Sequence, residues 1–122
     1  MTKFLSAEEL HSLLMFSDQL ITMVSETTNM GLPNLAERLC YSAYCTLRIF
    51  WEKAPEDTYY EERTEVSCAA AIMLAGSGKP SACREFLNQL IVTNVNDPDR
   101  VEKFSLIREK YFGNKTHEQP TE

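Results

Sequence analysis

Long apolar runs are missing from this 122-residue chain. No stretch approaches the roughly 18 apolar residues that a bilayer span needs, so none of it is expected to cross a membrane. The first residues, MTKFLSAEELHS, turn polar and acidic after Phe4 and Leu5, and lack the apolar core and small-residue cleavage site of a secretory signal. Positive charge is also scarce: 12 Lys and Arg stand against 18 Asp and Glu, a net charge of −6. That balance argues against sequence-independent binding of DNA or RNA, whose affinity comes from Lys and Arg on phosphates, and against docking on anionic lipid. Only two histidines occur, His11 and His117. No segment alternates apolar and polar residues well enough to predict a strand.

What is present suits a folded domain. The chain is 43% hydrophobic and 25% charged, enough for one core. The expected organisation is a helical domain over 1–113, followed by a disordered tail over 114–122 (NKTHEQPTE). With no secretion signal, Cys40, Cys45, Cys68 and Cys83 are expected to be reduced thiols, packing as small apolar residues in the cytoplasm.

Five helices are predicted. Ser6-Ala-Glu-Glu9 is a capping-box pattern, flanked by Leu5 and Leu10 at the spacing of a hydrophobic staple. Leu10, Leu13, Leu14, Leu20, Ile21 and Val24 then form one face, and the helix is expected to fade over Ser25–Asn29 before Gly31. Pro33 starts the second helix and Pro55 stops it, with an apolar stripe from Leu35 through Leu39, Ala43, Leu47 and Phe50 to Ala54. A second capping box, Thr58-Tyr-Tyr-Glu61, opens the third. Its later half, VSCAAAIMLA, is apolar almost all round and predicts a central, buried helix. The fourth begins at Pro80 or Ser81 and frays at Thr93–Asn94. The fifth takes Asp97 as N-cap and Pro98 as first residue, turns Val101, Phe104, Ile107 and Tyr111 inward, and ends at Gly113. The fold class is therefore all-α: one bundle of about five antiparallel helices, or a short stack of helical hairpins.

The stretch AGSGKPSA resembles a phosphate-binding loop and fails as one. The pattern G-x-x-x-x-G-K-[ST] needs glycine where Met73 stands and a hydroxyl where Pro80 stands, and it follows a strand rather than an Ala-rich helix. The glycines read instead as a helix terminator and a turn. Nor do the cysteines predict zinc. Cys40 and Cys45 are five residues apart on one helix, which turns them about 140° away from each other. Neither histidine has a ligand-like or nucleophilic neighbour. No catalytic, metal or cofactor residues are assigned.

Two groups exceed what a core requires. Tyr41, Tyr44 and Arg48 lie off the apolar stripe of the second helix, and these residue types concentrate at interface hot spots, unless they pack on another helix. Glu56, Asp57, Tyr59, Tyr60, Glu62 and Glu65 form an acidic, aromatic edge suited to a basic surface, unless they are only a solvated helix start. The expectation is a small cytoplasmic protein–protein interaction module: an adaptor, chaperone or inhibitor that docks on another protein through a basic surface. A phage or mobile-element antagonist of a nucleic-acid-handling complex is one form of it. The alternatives are a helical subunit of a larger assembly, and an enzyme or ligand-binding bundle with a site composed across helices.

Overall fold

A computed structural model describes residues 3–113. It holds five helices and, among the described residues, no strand: α1 (Ala7–Asn29), α2 (Pro33–Lys53), α3 (Tyr60–Gly76), α4 (Pro80–Thr93) and α5 (Pro98–Phe112). The tail assigned to 114–122 lies outside the described residues. No described helix is long and apolar enough to cross a membrane.

Most boundaries follow from local chemistry. The Ser6 hydroxyl accepts the Glu9 amide, while the Ser6 amide donates to the Glu9 carboxylate at 2.9 Å, so the capping box forms in full. Pro33, Pro80 and Pro98 each stand at the first helical position, where a missing N–H leaves no bond unmade. Asp97 caps α5 by accepting the Arg100 amide. Ala54 is extended, as a residue before proline must be, and ends α2. Gly31 and Gly113 take positive φ after α1 and α5. The fading expected over Ser25–Asn29 does not occur; the Thr27 and Thr28 hydroxyls donate to carbonyls one turn back and the helix runs on.

The second capping box is a correction. Pro55–Tyr59 closes a turn of its own, with the Tyr59 amide on the Pro55 carbonyl at 3.0 Å. Thr58 is inside that turn, so Tyr59 becomes the N-cap and makes no side-chain cap bond. Tertiary contacts of Glu56 and Tyr59, described below, hold the turn and move the helix start.

Each helix packs on the next through connections of three to six residues, and α3 also meets α5. One core gathers Leu10 of α1, Leu47 and Phe50 of α2, Ala70, Ala71 and Leu74 of α3, Cys83, Leu87 and Leu90 of α4, and Phe104 of α5. Burying a side chain such as Phe50 completely contributes about 2–3 kcal/mol. The small residues of α3 leave room for its neighbours, and α2 comes close at Gly76. A Cβ on Gly76 would lie 2.9 Å from the Cys40 sulfur, so this glycine serves the helix crossing as well as the helix end. Two residues placed on inward stripes are exposed instead. Leu35 is exposed in the first turn of α2, and Tyr111 is turned outward while its neighbour Phe112 packs on the core.

Candidate functional site

The acidic edge surrounds the start of α3, and its residues divide into two sets. Asp57, Glu61, Glu62 and Glu65 are exposed. Glu56 is also open to solvent, but its carboxylate bridges two arginines, accepting from Arg63 at 2.6 Å and from Arg100 at 2.7 Å. Partial burial disfavours the Glu56 charge, yet the two guanidinium groups outweigh it and hold this carboxyl below its ordinary range.

The two tyrosines of the edge are both engaged. Tyr59 is half-buried with its ring edge-on to Phe50, centroids 5.9 Å apart. Tyr60 keeps one side exposed, but its ring lies 4.0 Å from the Arg100 guanidinium and its hydroxyl donates to Asp97 at 2.5 Å. That hydrogen bond raises the Tyr60 pKa and lowers that of Asp97.

Arg100 is the residue that sequence reasoning missed. Its side chain is buried, and its donors reach Thr64, Glu56, Asn94 and the Tyr60 carbonyl at 2.6–3.0 Å. It ties the turn before α3 to the α4–α5 connection. The available signal was its place four residues before Phe104, on the inward face of α5. Above it, between α3 and α5, opens a polar cleft of about 360 Å³ whose rim carries Glu61, Glu65, Asp99 and Lys103.

The second group is divided in the same way. The Arg48 guanidinium stands 5.5–5.8 Å from the ring centroids of Tyr44, Trp51 and Phe86, and donates to the Tyr44 hydroxyl at 2.7 Å and to Glu52 at 2.9 Å. Tyr44 and Trp51 both meet Phe86 edge-on, which joins α2 to α4. The Arg48 Nε is buried with no acceptor among the described residues. Tyr41 alone of this group is exposed, with the Lys79 ammonium 5.3 Å from its ring centroid, at the mouth of a small cleft of about 230 Å³ between α2 and α4.

The Gly-rich stretch is the α3–α4 connector. Gly78 has φ +77° and lies against the Glu37 carboxylate, and Pro80 opens α4. The cysteines are all free. Cys40 and Cys83 are buried, Cys68 is half-buried and Cys45 is exposed. Burial pushes the thiols of Cys40, Cys68 and Cys83 up, which keeps them protonated, and Cys83 donates to the Ala71 carbonyl. Among the described residues, no three His, Cys, Asp or Glu side chains converge as metal ligands would. No known protein family, curated protein or solved structure matches this chain.

Proposed function

We propose that this chain is a protein–protein interaction module, an adaptor, chaperone or inhibitor of the cytoplasm, that docks on a protein partner with a basic surface. One observation carries the reading. Arg63 and Arg100 are turned inward onto aromatic rings, backbone carbonyls and one shared carboxylate, while Asp57, Glu61, Glu62 and Glu65 are turned outward. The surface a partner meets at the start of α3 is thus more acidic than the net charge alone implies. Free, protonated thiols suit a reducing compartment. Covering the basic channel of a nucleic-acid-handling complex is the form of inhibition such a surface would serve.

The test is affinity capture with the purified protein, then binding kinetics with the captured partner at low and high salt. Exposed charges act mainly on association and are screened over about 8 Å at physiological ionic strength. Glu62→Lys with Glu65→Lys should slow association several-fold and flatten its salt dependence, with the melting temperature nearly unchanged. Association that ignores both the reversal and the salt would refute the reading of this edge.

A further inference from the structure

The flank of α1 carries a line of apolar side chains that the fold leaves open. Phe16, Met23 and Met30 are 50%, 44% and 69% exposed. Spaced seven residues apart, they drift only about 20° around the helix per step and lie along a line about 21 Å long. Toward the start of α1 this line runs into a shallow cleft of about 570 Å³, where Leu5 and Leu13 join Phe16 beside Glu8 and Glu9. Scattered apolar residues on a surface need no explanation, but three exposed at nearly one phase, from Phe16 on α1 to its C-cap Met30, form a seam that does.

The charge along α1 itself is one-sided. Helix α1 holds four carboxylates, Glu8, Glu9, Asp18 and Glu26, and no lysine or arginine in its 23 residues. Glu8 and Glu26 are 18 residues apart, five full turns, so they stand in register about 80° from Phe16 and border the row at both ends. Both are exposed, and neither is in an ion pair among the described residues. A second copy of α1 laid along this row would set carboxylates against carboxylates. A partner helix with cations beside its apolar stripe meets complementary charge.

We propose that this flank of α1 is the docking surface for a basic amphipathic helix of a partner protein. Its apolar stripe would lie along Phe16, Met23 and Met30, and its lysines or arginines against Glu8 and Glu26. An amphipathic helix in an apolar groove is a recurring recognition mode, and methionine side chains adapt their shape to what they cover. The proposal rests on the reading above that the partner is a basic protein, but it places the contact on α1 rather than at the start of α3.

The experiment is calorimetric titration of the whole protein with a synthetic helical peptide of about 18 residues, leucines along one stripe and lysines on both borders. Two controls share its length: one with glutamates for lysines, one with the same lysines and a scrambled stripe. The basic amphipathic peptide should bind at least tenfold more tightly than either control. Phe16→Ser should weaken it about tenfold, and Met30→Ser, at the more exposed end of the row, should weaken it with the melting temperature unchanged. Glu8→Lys with Glu26→Lys should weaken it severalfold at low salt and less at high salt. No binding, equal binding of the glutamate peptide, or indifference to the α1 substitutions would overturn the proposal. So would sedimentation as a dimer that Phe16→Ser dissociates, which would make a second copy the occupant. If Glu62→Lys with Glu65→Lys alone weakens a captured partner, the α1 proposal falls while the interaction-module reading stands.

Discussion

Glu56 and Asp57 are adjacent acids, both exposed, and by composition interchangeable. The structure predicts that removing them has different consequences. Asp57 makes no ion pair among the described residues, so Asp57→Ala should stay within about 0.5 kcal/mol of wild type. Glu56 is about half exposed, with a side-chain accessibility of 47%, but Arg100 beneath it has 7%. Exposed ion pairs contribute about 0.2–1 kcal/mol, whereas stranding one member of a buried pair costs about 3–5 kcal/mol. Glu56→Ala falls between these cases. It leaves Arg100 buried with neutral acceptors, Thr64, Asn94 and the Tyr60 carbonyl, and with Asp97 only at 3.9 Å. It also takes the carboxylate from Arg63, which keeps the Trp51 and Ala54 carbonyls. A cost of about 2 kcal/mol follows, about 8 °C in melting temperature for a domain of this size. Urea unfolding followed by far-ultraviolet circular dichroism measures it. In a double-mutant cycle, Glu56→Ala and Arg100→Ala should couple by about 1–2 kcal/mol. If Glu56→Ala matches Asp57→Ala, or the coupling stays under about 0.5 kcal/mol, Arg100 does not depend on this carboxylate and the reasoning fails.

Two other predictions concern pH and helix crossing. Because the Glu56 carboxyl is held below its unfolded value, its contribution is present above the ordinary carboxylate range and is lost as pH falls through the lowered folded value. Urea midpoints measured from about pH 6 down to about pH 3 should therefore fall more steeply for wild type than for Glu56→Gln; parallel profiles would refute the linkage. At the crossing of α2 and α3, Gly76→Ala should destabilise wild type by about 1–3 kcal/mol, because the new methyl meets the buried Cys40 sulfur. In a Cys40→Ala background the same change should be neutral or stabilising, since alanine is the better helix former; an unchanged penalty would show that the sulfur is not the obstacle.

What was legible in the sequence was local. The Ser6 capping box and the prolines at helix starts act through bonds or dihedral limits within a few residues, so the pattern and the structure agree. The Thr58 box uses the same letters and does not form, because the Tyr59 ring is held by Phe50 and the Glu56 carboxylate by two arginines. Nothing within four residues of Thr58 announces those partners, which lie on α2, α3 and α5. Gly76 read as a terminator for the same reason: its distinctive contact is with Cys40, 36 residues away in sequence. Arg100 escapes a reading by residue type, which puts a charged side chain outside, although its phase on α5 points inward. In the Tyr41, Tyr44 and Arg48 group, the sequence left packing and interface both open. The structure puts Tyr44 and Arg48 in the α2–α4 packing and leaves Tyr41 outside.

The inward arginines connect this packing to the surface chemistry. A guanidinium has a flat face to set against a ring and donors in its own plane: Arg100 lies 4.0 Å from the Tyr60 ring centroid while it donates to four acceptors, and Arg48 stands among the rings of Tyr44, Trp51 and Phe86. A lysine ammonium at either place could not serve a ring face and several fixed acceptors together. Positive charge is thereby spent on joining α2 to α4 and α3 to α5, and carboxylates are left to face solvent at the start of α3 and along α1. On the proposed α1 surface, charge and apolar area would then act at different steps. Carboxylates draw a basic partner in and set how fast it arrives, while Phe16, Met23 and Met30 give it apolar surface to lose on leaving and set how long it stays. Charge reversal at Glu8 and Glu26 should appear mainly in the association rate, and truncation along the apolar row mainly in the dissociation rate.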